Sequence, residues 1–228
     1  MNSETKFLKQ TTVSNYSSRN ASVYDDPMNK NFVYGELTVD FVNKIKFEKT
    51  DKIIADIGCG TGFAFDIIYD KLKQNNIKCI GIDPAKGMLE LAKKKFISNS
   101  NFSFYEGTFG KIPLENNSVD KIISTLALHW VPSLQDSIKE LKRILKKNGS
   151  IDILMIAKDD GEGFKQPIVE AMKKHLSFKQ IMKAATLAQR VSSKHIYDYF
   201  NKEFDLKNKY TFSVQNVKRI IYGTFDEH

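Results

Sequence analysis

Apolar residues in this chain fall into two alternating rhythms. Short, nearly continuous apolar runs occupy positions 52–57, 77–82, 102–105, 119–126 and 151–157, and each reads as a buried strand. Between them apolar residues return every three or four positions, the period of a helix with one buried face. One such segment presents Phe65, Ile68 and Leu72 and breaks at Asn75-Asn76. The next presents Met88, Leu89, Leu91, Ala92 and Phe96 and breaks across 99–101. A third opens at Pro132-Ser133, carries Leu134, Ile138, Leu141 and Leu145, and is expected to end at Asn148-Gly149 with the glycine as its C′ cap. Phe32, Val33, Leu37, Phe41, Val42 and Ile45 predict one more amphipathic helix, over 32–47, ahead of the first strand. Strands alternating with helices at this spacing predict an α/β fold, a doubly wound and mostly parallel sheet covered on both faces. The run 119–126 is apolar enough to be a central strand of that sheet.

The flanks have a different texture. Residues 1–30 are rich in Ser, Asn and Thr, with Phe7, Tyr16 and Tyr24 as punctuation, and predict a loosely held arm with one short helix over 14–23. Residues 164–204 are again helical in pattern, with Ile168, Met172 and Leu176, then Ile181, Met182, Ala185 and Ala188. Phe212 and Val214 suggest a sixth strand over 209–214. The chain is thus expected to divide into an arm and helix (1–48), a sheet core (49–158), a helical insert (159–205) and a closing strand or helix (206–228). No internal repeat is evident.

The candidate chemistry sits where the first strand ends. Asp56-Ile57-Gly58-Cys59-Gly60-Thr61-Gly62 runs from a strand into a turn with glycine at alternate positions, which lets backbone approach a ligand closely. Asp83 closes the second strand, where an acid suits a ribose diol. Together they predict a nucleoside-containing cofactor. A dinucleotide fingerprint would need a third glycine where Phe63 stands, and no Gly-Lys-Ser/Thr follows to make a phosphate loop. The plainer alternative is a tight turn, with Asp83 capping a helix whose first residue is Pro84.

That first motif resembles the one carried by class I S-adenosylmethionine-dependent methyltransferases, of the type 11 kind, and the resemblance extends over roughly residues 50–157. It implies S-adenosylmethionine as cofactor. Asp56 would take the ammonium directly or through water, backbone N–H groups of 58–62 would suit the carboxylate, and Asp83 would accept both ribose hydroxyls. Cys59, Thr61 and Pro84 belong to the same loop and turn, and Met88 is placed to pack on adenine or, equally, in the core. Glu106-Gly107-Thr108-Phe109-Gly110-Lys111-Ile112-Pro113-Leu114 resembles the family's third motif. The aspartate that usually takes the adenine amino group is replaced here by Thr108, whose hydroxyl can still accept one hydrogen bond.

Ser124-Thr125-Leu126-Ala127-Leu128-His129-Trp130-Val131 ends the fourth strand at the carboxyl edge, where such folds bind ligands. Thr125 and Leu126 are expected at the cofactor and Trp130 at the substrate. His129 reads either as a general base or substrate donor, or as a brace for the following loop. The Leu-His-Trp ending resembles a small-molecule subset that includes trans-aconitate and malonyl-carrier-protein O-methyltransferases. The Asn/Asp-Pro-Pro-Tyr/Phe of enzymes that methylate nucleobase or glutamine amino groups is not present. In the family the insert and the arm close over the substrate, which makes 159–205 a lid and brings Tyr16 and Tyr24 toward the sulfonium and substrate. Of Arg19, Arg143, Arg190 and Arg219, Arg190 lies in that insert and is the one expected to face an acidic substrate. His175 and His195 are expected on its surface. The family's antiparallel strands six and seven find little room before His228, which leaves a missing strand, a rearrangement or truncation of a longer chain as alternatives.

Composition narrows the setting. At 228 residues and 41% hydrophobic content, one domain with a sizeable core is expected. Cys59 and Cys79 supply neither metal spacing nor a disulfide framework, which fits a reducing cytosol. No run is long enough to span a bilayer and residues 1–10 are polar, so a cytoplasmic protein without a membrane partner is expected. The net charge of +8 comes mostly from lysines spread along helices, as at Lys93-Lys94-Lys95, Lys146-Lys147 and Lys173-Lys174. That spread reads as solvated helix faces, so a nucleic-acid partner is not expected. No cluster of carboxylates or histidines calls for a metal. The reading is O- or N-methylation of a small molecule, including a carboxylate or a carrier-bound acid, by a monomer or homodimer. RNA or protein methylation, and cofactor binding without turnover, are the alternatives.

Overall fold

Ile53–Ile57 (β1) pairs in parallel with Lys78–Asp83 (β2) on one side and with Val119–Thr125 (β4) on the other. Phe102–Glu106 (β3) extends the sheet beyond β2, and Leu145–Leu154 (β5) lies beyond β4, so the order is β3-β2-β1-β4-β5. The structure is a computed structural model and describes residues 33–156, 158, 162–187, 190–205, 211–215 and 217. The expected arm, with its helix over 14–23, lies outside the described residues. The chain leaves β1 in one direction for β2 and β3 and in the other for β4 and β5. The crevice for a ligand in such a sheet is at the carboxyl ends of β1 and β4.

Helices cover both faces. On one face Val33–Asn43 (α1), Phe63–Ile67 (α2), Tyr69–Gln74 (α3) and Lys86–Lys95 (α4) meet the strands. Val42, Phe65, Leu72, Leu89 and Ala92 pack there with Ile54, Cys79 and Ile123. Phe96 and Phe102 stack with ring centroids 4.5 Å apart at the edge of this layer. The opposite face carries Leu134–Ile144 (α5) and Ser193–Phe204 (α8), whose Ile138, Leu141, Ile144, Phe200 and Phe204 pack with Ala55, Ile57, Ile82 and Ile122. Each fully buried Ile or Leu contributes about 1.5–3 kcal/mol, so these two layers dominate the stability of the sheet. Between α5 and α8 lie Glu162–His175 (α6) and Phe178–Leu187 (α7), in keeping with the helical pattern of the insert.

Three expectations are corrected. The helix after the glycine loop is two short helices joined at Ile68, yet Phe65, Ile68 and Leu72 are all buried as the stripe required. The helix opened by Ser133, whose Oγ accepts the Asp136 N–H at 3.2 Å, ends at Ile144 and not at Asn148. Leu145 turns extended and pairs with Val119, because its side chain joins the apolar layer under α5. Gly149 is therefore no helix cap; it lies in the irregular start of β5, where a Cβ would fall 2.7 Å from the Asp120 carbonyl oxygen. Residues 211–215 form no strand. Phe212 packs against Phe200 and Tyr197 of α8 instead, so β5 is the edge of the sheet among the described residues.

Candidate functional site

The loop after β1 takes its shape from glycine. Gly58, at φ 80°, comes so close to the segment after β4 that an added Cβ would lie 2.2 Å from the Ala127 Cβ. Gly60, at φ 53°, faces open space with nothing within 4 Å of an added Cβ. Such φ values cost an L side chain about 1–2 kcal/mol. The loop's amides are largely committed. The Gly58 and Cys59 N–H groups donate to the Ile82 carbonyl, Gly62 N–H to the Cys59 carbonyl, and Gly60 N–H to Asp83 Oδ2. Thr61 is buried at its centre. The expectation that the amides of 58–62 cradle a carboxylate is therefore corrected for these four. A short helix of five residues begins at Phe63, and its Asp66 N–H donates to the Gly62 carbonyl at 3.0 Å.

Two carboxylates flank the loop. Asp83 accepts from Gly60 N–H at 2.9 Å through Oδ2 and from Ala85 N–H at 2.8 Å through Oδ1. Burial raises its pKa, and these two hydrogen bonds work against that rise. It is not a helix cap in the expected sense, since α4 begins at Lys86 after Ala85, with Pro84 outside the helix. Asp56 is completely buried, and neither of its oxygens has a hydrogen-bond partner among the described residues. Burial, then the nearby Asp83 charge, pushes its pKa up to about 8. A buried, unpartnered acid beside a second acid is what a cationic ligand would relieve. The residues therefore fit a ligand with an ammonium and a diol.

The remaining candidates fall around this pair. Gly107 N–H donates to the Asp83 carbonyl, and Thr108 and Lys111 exchange backbone hydrogen bonds across a tight, exposed turn. Phe109 is buried against Gly58, with its ring 3.4 Å from an added Cβ there. Met88 is buried beside Ala85, apart from the two main apolar layers. Thr125 ends β4 half-buried, and Leu126 beyond it holds φ 53°, an unusual conformation for a leucine at the expected crevice. A 3₁₀ turn, Leu128–Trp130, follows. His129 is buried there, and its Nδ1 accepts the Ile156 N–H across a long 3.5 Å. Trp130 is partly exposed, and the Arg190 guanidinium lies 4.8 Å from its ring centroid.

The chain thus brings together Asp56, Gly58, Gly60 and Asp83, and separately Trp130 and Arg190. Tyr16, Tyr24, Arg19 and Arg219 lie outside the described residues. Arg143 is structural, clamping Glu140, Asn116 and the carbonyls of Ile112 and Leu114. Sequence reasoning missed Ala127, against which Gly58 rests, and Gly81, where a Cβ would meet Phe104 and the Cys59 Sγ. A small residue in mid-strand was the only signal for Gly81.

A family model described as a methyltransferase domain matches residues 55–153. These residues form a methyltransferase domain. The match runs from β1 to β5, so the methyltransferase domain comprises the sheet and the loops at its carboxyl edge. Ubiquinone/menaquinone biosynthesis C-methyltransferase UbiE of Campylobacter jejuni is 36% identical over 119 residues, covering 51% of this chain and 49% of that protein. Malonyl-[acyl-carrier protein] O-methyltransferase of a Marinomonas species is 35% identical over 100 residues, 43% of this chain and 36% of that protein. The chain spans about half the length, or less, of these curated relatives. Phosphoethanolamine N-methyltransferase 2 of Haemonchus contortus, solved in complex with S-adenosyl-L-methionine, shares the fold with a TM-score of 0.64. The two are 18% identical, over 90% of this chain and 44% of that one.

Proposed function

We propose that this chain moves a methyl group from S-adenosylmethionine to a small-molecule acceptor, at oxygen or nitrogen. The observation that carries the reading is the arrangement of Asp56, Gly60 and Asp83: two buried carboxylates from adjacent strand ends face one glycine loop. When bound, S-adenosylmethionine supplies an electrophilic methyl group on a sulfur that is already cationic. The chain's part is to orient the reactants and exclude water. Asp83 accepts the ribose hydroxyls with the lone pairs left over from Gly60 and Ala85. Asp56 ionises against the ammonium, which compensates its buried charge. Thr108, Phe109 and Met88 flank the base, and Thr125 and Leu126 wall the crevice.

Trp130 and Arg190 receive the acceptor. A guanidinium stacked on an indole favours an acceptor bearing a carboxylate, free or carrier-bound, and such an acceptor needs no base. His129 acts as a positioning residue, since its accepting nitrogen is engaged by Ile156 and the ring steadies the turn that carries Trp130. Residues 159–205 serve as the lid, and Tyr16 and Tyr24 of the arm close over the sulfonium and substrate. The two free cysteines suit the reducing cytoplasm.

The test is incubation of the purified chain with S-adenosylmethionine and pooled metabolites and acyl carriers. A product heavier by about one CH₂ supports the reading. Binding of S-adenosylhomocysteine without any product would leave a cofactor-binding protein, and label released from RNA by nuclease would move the acceptor class to nucleic acid.

A further inference from the structure

The hairpin of α6 and α7 exposes large apolar side chains at its turn. None of its described side chains belongs to the apolar layers on either face. At the turn between the two helices Leu176 is 37% and Phe178 78% exposed, and Met182, one turn along α7, is 50% exposed. The turn is well fastened. Ser177 N–H donates to Gln180 Oε1 at 2.8 Å, Gln180 N–H reaches back to Ser177 Oγ at 3.4 Å, and Ile181 N–H donates to the Ser177 carbonyl at 3.0 Å. This reciprocal cap holds the apolar side chains at a defined tip. Lys173, Lys174, His175 and Lys179 flank that turn along the chain, all exposed, with Glu170 further back on α6.

A single exposed leucine needs no explanation, but three large apolar side chains at a capped turn flanked by exposed lysines have the composition of an interfacial anchor. We propose that the tip of the α6–α7 hairpin docks on an anionic lipid surface, inserting Leu176, Phe178 and Met182 among the headgroups while Lys173, Lys174 and Lys179 meet lipid phosphates. An acidic protein would match the lysines equally well. The pairing of exposed apolar side chains with lysines decides for lipid, because an anionic headgroup layer takes up both at once without a preformed pocket. The attachment is peripheral, since no helix among the described residues is long and apolar enough to cross a membrane. It departs from the sequence-based expectation of no membrane partner, and it uses none of the residues assigned to the cofactor.

The full chain is to be sedimented with vesicles of phosphatidylcholine plus phosphatidylglycerol, and with phosphatidylcholine alone. Binding is expected on the anionic vesicles and to be weaker on the neutral ones. Phe178→Asp with Met182→Asp, and separately Lys173→Glu with Lys174→Glu and Lys179→Glu, should each lower it by roughly tenfold or more. Melting temperature and S-adenosylhomocysteine affinity should stay unchanged in both variants. Absence of the chain from the anionic vesicle pellet, equal binding to both vesicle types, or binding indifferent to the two apolar substitutions would overturn the proposal. So would capture by an acidic carrier protein through these residues without any vesicle binding. Because the assay contains no cofactor, its failure and a failure of the methyl-transfer reading are separate results.

Discussion

The carboxylate of Asp83 holds Gly60 in place: Oδ2 accepts the Gly60 N–H at 2.9 Å while Oδ1 accepts Ala85 N–H at 2.8 Å. One acid at the end of β2 therefore fastens the loop of β1 to the turn that opens α4. Each oxygen keeps a second lone pair.

Replacing Asp83 with Ala should consequently act twice. The dissociation constant for S-adenosylhomocysteine should rise at least about tenfold, about 1.4 kcal/mol. The melting temperature should fall as well, since two backbone donors lose their acceptor at a cost of about 1–3 kcal/mol each when buried. Calorimetric affinity that does not move would remove Asp83 from the site.

Asp56 should make stability depend on pH. Its pKa, 3.8 ordinarily, is pushed up to about 8 by burial and by the Asp83 charge. A folded value above the unfolded one means the folded state binds the proton more tightly. The group's stabilisation is complete at about pH 4 or below and is lost as pH rises to about 8. Asp56→Asn has no proton to lose. Its melting temperature relative to the parent should therefore climb between about pH 5 and pH 8 and level off above. A difference that stays constant across that range would show that Asp56 does not titrate there.

The glycines of the loop should separate by role. Gly58→Ala puts a Cβ 2.2 Å from that of Ala127 and should destabilise the domain by more than about 2 kcal/mol, read from denaturant unfolding. Gly60→Ala meets no atom within 4 Å and should cost only the backbone strain, about 1–2 kcal/mol. Its methyl group instead enters open space beside the Asp83 carboxylate that holds Gly60, so on the proposed reading cofactor affinity should suffer more than stability. Equal losses of stability in the two variants would contradict the geometry.

Trp130→Ala is expected to spare the cofactor and harm the acceptor. S-adenosylhomocysteine affinity should stay within about twofold, while product in the pooled assay falls by about tenfold or more. Arg190→Lys should behave similarly, because lysine cannot stack its charge over the Trp130 ring 4.8 Å away as a planar guanidinium does. Loss of cofactor affinity in both would make the pair part of the fold rather than of the acceptor pocket.

Much of the core was legible because its determinants are local. Alternation of apolar runs and helical stripes located all five strands, and glycines at 58, 60 and 62 marked the loop. Leu145 deceived, because a leucine one turn after Leu141 continues a helical stripe and equally starts a buried strand. Phe212 deceived for a related reason: its apolar surface is satisfied by α8 side chains, with no strand required. The amides of Gly58, Cys59 and Gly60 were open to two uses, and only the position of Ile82 and Asp83 decided that they are spent inside the protein.

Residue order alone determined the class of fold, the place of the glycine loop and the acid at the end of β2, since period, steric freedom and charge are properties of the residues themselves. Which groups meet was decided in three dimensions. Asp56 is left without a hydrogen-bond partner among the described residues, while the rest of Gly58 on Ala127 and the stacking of Arg190 on Trp130 join segments distant in the chain. Such contacts depend on how two packed layers close over a sheet, and no local pattern encodes that distance.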